Sequence, residues 1–353
     1  MDTRSPLLAP LATLRTLQPS DRPPELALTC SLCAGLPLLA GIHFGQVGAG
    51  LAGSLGGMVL LYLPRTPLLH RLRIVALFSL AMIACYAAGL WLAGRGWLAV
   101  AGIGVLTALA ATLCRLLQRS PPGSLFLVMP AAIAAAGPPP PPVTALNDLA
   151  ALTTGCLVAL VLGTIYSIHI GRRRPRLPVQ KLAEAVPTIM REAALLGASV
   201  ALALTLATIL GLPRPYWAAI STLTVMQGAS VAQAWQRKIH RVTGTLLGLA
   251  IAVPLLLLIA TPLQAALAIM ALLFAVEVLV VRHYALAVAF ITPMAILLAE
   301  TVSLTTTGGI ADPAGLLLVR GVDTLLGAAI GVIGMAAQVA LARGRETARP
   351  LDR

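Results

Sequence analysis

Three charged side chains interrupt stretches of the sequence that are otherwise apolar: Glu277, Arg320 and Asp323. A charge at the centre of a bilayer costs at least a few kcal/mol, so one that persists there has a partner or faces a cavity. Arg320 and Asp323 are three residues apart and share one face of a helix. Either they neutralise each other and lock that helix to its neighbours, or Arg320 attracts an anionic solute while a carboxylate exchanges protons. Glu300, at the outer end of the preceding segment, is at a height to pair with Arg320. Glu277 has no Lys or Arg within a helical turn, the nearest in sequence being Arg282. It reads as a proton-coupling candidate, with Asp323 as the other, or as a snorkelled or interhelix-bonded Glu.

These charges need a scaffold, and composition names its solvent. The 353 residues are 58% hydrophobic and 10% charged, with a mean hydropathy of +0.92. Soluble proteins carry roughly 25% charged residues, so this chain has too little polar surface to face water and its main partner is the lipid bilayer. Apolar runs of spanning length fall near 26–42, 46–63, 73–94, 98–115, 123–137 and 149–170. A second set follows at 192–211, 216–234, 242–260, 263–281, 284–301 and 315–341. The expected fold class is all-α, a polytopic membrane protein of about 12 helices.

Basic residues orient these segments, because cytoplasmic loops are enriched in Lys and Arg. Of the 25, 22 fall in the first 25 residues, in the loops after even-numbered segments or in the tail; Arg95 and Arg214 fall on the other side. Both termini are therefore expected in the cytoplasm of a bacterial inner membrane. The net charge of +13 is spread over short loops, which argues against a nucleic-acid partner.

The chain also repeats. His70-Arg71 recurs as His240-Arg241, Arg119 matches Arg282, and Pro130 matches Pro293. Six segments per half keep both halves in one orientation, so they are expected as two parallel six-helix repeats. The expected organisation is a leader (1–25), a first half (26–170), a basic linker (171–191), a second half (192–341) and a tail (342–353). The linker reads as a positive-inside loop, with a lipid-headgroup patch as the alternative. The prolines at 138–142 read as a stiff outer spacer. Tyr216, Trp217, Trp91, Trp97 and Trp235 read as interfacial anchors. Gly53 and Gly57, Gly244 and Gly248, and Gly327 and Gly331 are spaced four apart, as helix-packing surfaces are, with sliding during transport as the alternative.

Little else points to chemistry. Cys30 and Cys33 form a CxxC with no second pair and no nearby His, and read as packing residues. The five histidines fall at segment ends on both faces, so neither a metal nor another cofactor is expected. No catalytic residue and no enzyme motif emerges.

Three runs in order, Arg214-Pro-Tyr-Trp to Gln227, Arg237-Lys-Ile-His-Arg-Val-Thr-Gly-Thr-Leu-Leu-Gly248, and Arg320-Gly-Val-Asp-Thr to Gly331, resemble the fusaric acid resistance protein-like family. That family includes aromatic acid exporters, and its membrane portion is similar to plant malate transporters. The resemblance covers about 192–341. It implies proton-driven export of small organic, chiefly aromatic, acids, sometimes with a periplasmic adaptor subunit; a homodimer is the other partner left open. An organic anion channel and a non-transporting scaffold for envelope assembly are the competing readings.

Overall fold

The computed structural model describes residues 16–20, 22–119, 122–169, 177–178, 185–227, 231–306 and 313–347. Among the described residues twelve α-helices follow one another: α1 (Pro24–His43), α2 (Val47–Gly57, continued by a 3-10 turn, Met58–Tyr62), α3 (Leu68–Leu92), α4 (Trp97–Leu116), α5 (Leu125–Ala136) and α6 (Pro142–His169). Then come α7 (Val186–Ile209), α8 (Tyr216–Met226), α9 (Val231–Leu258), α10 (Pro262–Leu279), α11 (Tyr284–Thr306) and α12 (Pro313–Thr347). Among the described residues nine are long and apolar enough to cross a bilayer; α2, α5 and α8 are shorter. The chain is a polytopic helical membrane protein.

Helix starts follow local chemistry. Proline, whose missing N–H costs nothing in a first turn, opens α1 and α10 and falls in the first turn of α7. Thr261 and Gln264 exchange side-chain and backbone hydrogen bonds in a capping box before α10. Hydropathy starts the third and ninth segments at 73 and 242, but α3 begins at Leu68 and α9 at Val231. Arg, Lys, Gln and Ala are good helix formers, so the basic stretches before the apolar runs are helical too. Most of the basic linker, and Arg4 and Arg15 of the leader, lie outside the described residues.

In an apolar medium every polar group needs an internal partner. Thr107, Thr153, Thr164, Thr292 and Thr324 each donate their hydroxyl to the carbonyl four residues back. Tyr62 stacks on Phe78 with centroids 4.0 Å apart and donates to the Gly123 carbonyl at 2.7 Å. This ties the 3-10 turn to the loop before α5. Large apolar side chains such as Leu80, Leu257, Leu258 and Leu318 point outward, where only lipid accommodates them.

The same neighbours recur six helices on. α1 packs on α2 as α7 does on α8; α2 lies against α6 as α8 does against α12; α3 pairs with α5 as α9 does with α11. The two sets of six meet along α4 with α7 and α1 with α10. At one end, backbone and side-chain bonds join the loops after even-numbered helices to one another and to the residues before α1. The Leu177 N–H donates to the Arg65 carbonyl at 2.7 Å, the Gln18 N–H to the Arg282 carbonyl at 2.8 Å, and Gln227 Nε2 to the Pro122 carbonyl at 3.0 Å.

Glycine sets the closest approaches. A Cβ at Gly327 would collide with the Ala218 carbonyl, and one at Gly331 would sit 2.8 Å from Val225 Cβ, so α12 lies directly on α8. Gly244 and Gly248 seat α11 in the same way, against the Ala285 carbonyl and Thr292. Gly327→Leu is therefore expected to cost about 1–3 kcal/mol by overpacking, read as a lower melting temperature in detergent. Gly48→Ala, where nothing lies within 4 Å of the added Cβ, should melt within error of the parent.

Candidate functional site

The shortest helices enclose the site. α8, with 11 residues, is about 16 Å long at 1.5 Å per residue, and each of its residues is buried. Beside it runs a cavity of about 970 Å³. Leu51 and Leu55 of α2 and Phe126, Met129 and Ile133 of α5 supply an apolar wall; Met294 and Leu298 of α11 continue it. Trp217, Ile220 and Thr224 of α8 form the opposite wall, and the cavity follows that helix from Arg214 at its start to Gln227 at its end.

Four arginines of this cavity attach to α8 at successive turns. Arg214 precedes the helix and is ion-paired with Glu300. Arg320, from α12, lies over the Trp217 ring with its guanidinium carbon 3.7 Å from the centroid. Arg241, from α9, directs Nε and Nη2 at the Ser221 hydroxyl, both at 3.3 Å. Arg237, one turn earlier on α9, donates to the Thr224 carbonyl at 3.5 Å. The contact points at 217, 221 and 224 are three or four apart, so the cations from α12 and α9 meet one face of α8 as a ladder, at intervals of about 5 Å along its axis, with Arg214 ahead of the first turn.

Two rungs are deep. Arg241 and Arg320 are each 3% exposed, and Asp323, one turn beyond Arg320 on α12, is 0% exposed. Nε and Nη1 of Arg320 and both carboxylate oxygens of Asp323 have no hydrogen-bond partner. Arg320 and Asp323 are therefore not a closed pair. The charges of Arg241, Asp323 and Arg214 all act on Arg320. The aromatic face gives Arg320 a partial counter-charge while leaving its donors open. Glu300, expected beside Arg320, is held by Arg214.

Glu277 is not solitary. Its Oε2 accepts from Arg22 Nη1 at 2.7 Å, across 255 positions of sequence. The pair sits at one mouth of the cavity with Arg282 and the stacked rings of His240 and His283, whose centroids are 5.5 Å apart. Among the described residues no group of three or more His, Cys, Asp or Glu gathers as a metal site would. All five cysteines are buried free thiols.

The sequence pointed to Arg320, Asp323 and Glu277 but missed Arg22, Trp217, Ser221 and Arg241. Trp217 and Tyr216 are buried in the cavity wall, whereas Trp91 and Trp97 are more than half exposed, as interfacial anchors are. Arg241 was counted among loop charges. One signal was available: Arg237 and Arg241 are four apart, hence on one face once α9 extends through them.

A multi-pass helical bundle enclosing a cation-lined cavity defines the class. Within it, residues 202–334 match the family described as fusaric acid resistance protein-like. That stretch carries Arg214, Arg237, Arg241, Glu277, Arg320 and Asp323, but not Arg22. The chain is also 35% identical over 124 residues to the uncharacterized membrane protein YvaC of Bacillus subtilis (strain 168). The alignment takes in 35% of this chain and 19% of YvaC, so the chain spans about a fifth of that relative's length. No solved structure matches.

Removing one member of a set of buried charges leaves the others uncompensated, a loss of about 3–5 kcal/mol for a buried pair. Arg320→Met should accordingly melt far below the parent in detergent. Arg320→Met combined with Asp323→Leu should recover much of that loss, because the buried carboxylate is then no longer stranded.

Proposed function

We propose that the protein carries small organic anions, aromatic carboxylates foremost, out of a bacterial cytoplasm across the inner membrane, by exchange with protons. The arginine ladder on α8 carries this reading. A carboxylate crossing a hydrocarbon core of about 30 Å needs donors that travel with it or wait for it. Guanidinium groups suit that task because they stay charged and present a planar fork to a carboxylate. The apolar wall from α2 and α5 lies opposite, so a solute with a charged head and a flat apolar body has complementary surfaces on both sides.

Asp323 is the favoured proton carrier. Its carboxylate is wholly buried, has no hydrogen-bond partner, and shares a helix face with Arg320. With an anion docked, Arg320, Arg241, an ionised Asp323 and the anion sum to zero charge; when the anion leaves outside, Asp323 takes up a proton there and releases it inside as the next anion docks, so the two cross in opposite directions. Glu277, whose charge is held by Arg22, belongs to the mouth instead. The recurrence of helix neighbours supports two parallel halves facing each other across the cavity. The excess of basic residues around the leader, and the bonds joining the loops on its side, support cytoplasmic termini.

Proteoliposomes loaded with radiolabelled benzoate test this directly. Efflux should rise with an imposed pH gradient, and Arg320→Lys and Arg241→Gln should each lower it by about tenfold or more, the equivalent of roughly 1.4 kcal/mol of lost stabilisation. Asp323→Asn should abolish the response to the gradient yet leave benzoate–benzoate exchange. Flux that follows voltage and ignores pH would assign a channel. No flux of any acid, in either condition, would remove the transport reading altogether.

A further inference from the structure

We propose that the leader segment directly before α1, described at residues 16–20 and 22–23, is a lid over one mouth of the cavity, and that the Arg22–Glu277 ion pair is its latch. Thr16, Gln18 and Arg22 line the cavity directly. The backbone at Gln18 is pinned to the Arg282 carbonyl in the loop after α10, at 2.8 Å. Arg22 reaches Glu277 in the last turn of α10 at 2.7 Å, and its backbone N–H donates to Ser20 Oγ at 3.1 Å. Pro23 and Pro24 then lead stiffly into α1.

The position of Glu277 is the telling feature. A carboxylate in the final turn of a helix faces the negative end of the macrodipole, and this one lies in an apolar helix at 4% exposure. α10 gains nothing from it. Its measurable partner is Arg22, on the far side of the seam where α1 meets α10, which Ser31 Oγ also ties by donating to the Met270 carbonyl at 2.7 Å. The latch therefore joins the two halves of the bundle across the cavity mouth. Any movement that opens the seam must break it, and any anion that competes with Glu277 for Arg22 releases the leader. That last step rests on the anion-carrier reading; the lid itself does not.

Thiol accessibility tests the lid without transport. Position 295 lines the cavity, and Ala295→Cys in the full chain can be labelled in sealed vesicles by a membrane-impermeant maleimide added to each face in turn. The peptide carrying that position is read by mass spectrometry. Labelling from the leader's face should be slow, and should speed about tenfold or more when Arg22→Ala or Glu277→Gln is added, since the closed population then falls. Labelling from the other face should not change, which also reports that the bundle is intact.

Adding Gln18→Cys and Arg282→Cys, whose backbones are already hydrogen-bonded, allows the lid to be fastened by oxidation. The oxidised protein should label slowly even with Arg22→Ala, and reduction should restore the fast rate. Equal rates with and without the latch, or before and after reduction, would overturn the proposal. Benzoate separates the two readings: it should speed labelling in the Ala295→Cys protein but not once Arg22→Ala is present. If the latch variants behave as expected and benzoate has no effect, the lid stands and its release by an anion fails, while the flux assay decides the anion-carrier reading separately.

Discussion

A guanidinium inside a membrane protein needs an acceptor, a counter-charge or water, and much of this fold answers that need for Arg320 and Arg241. α8 is too short to span the bilayer alone and is buried on all sides, so its polar groups can face a cavity without meeting lipid. Its sequence offers what an unpaired cation can use: an aromatic face at Trp217, a hydroxyl at Ser221 and a carbonyl at Thr224. α12 delivers Arg320 to Trp217 because Gly327 and Gly331 remove the side chains that would hold it off. α9 delivers Arg241 because its helix starts early enough to carry the basic stretch inward. Change any of these and a cation is stranded.

The two halves show how one plan serves different ends. Arg71 and Arg241 each follow a histidine, His70 and His240, in the third helix of their set of six, and both are buried. Arg71 bends back, donating Nε to the Thr66 carbonyl at 2.6 Å, and closes its own loop. Arg241 reaches forward to α8 and the cavity. Glu277, Arg320 and Asp323 lie in the second half, while the cavity wall from α2 and α5 is hydrocarbon. The helix neighbours recur between the two sets of six, and the chemistry does not.

Much of this was legible in the sequence, for a definite reason. Hydropathy marks which residues lie in the membrane, and a charge there is conspicuous, so Glu277, Arg320 and Asp323 stood out and the twelve helices could be placed. Hydropathy does not say which way a residue faces. Trp217 therefore looked like Trp91, although one is buried and the other meets lipid. Nor does it report contacts across the chain: Glu277 looked solitary because Arg22 is 255 positions away. Positive charge near a helix end satisfies the topology rule whether or not the side chain turns into a cavity. For that reason Arg241 passed as a loop charge.

The bare contact of Gly327 with Ala218 also has a mechanical meaning. Thr222 Oγ1 donates to the Gly327 carbonyl at 2.9 Å, so α8 and α12 are fastened by a hydrogen bond as well as by close packing, with no side-chain cushion between them to deform. Two helices joined in this way turn as one rigid part. The seams of α4 with α7, where Gly104 and Gly197 meet, and of α1 with α10 join the two sets of six separately from this pair. Arg320 on α12 and Ser221 on α8, which Arg241 contacts, are therefore held at a fixed spacing by the fastened pair.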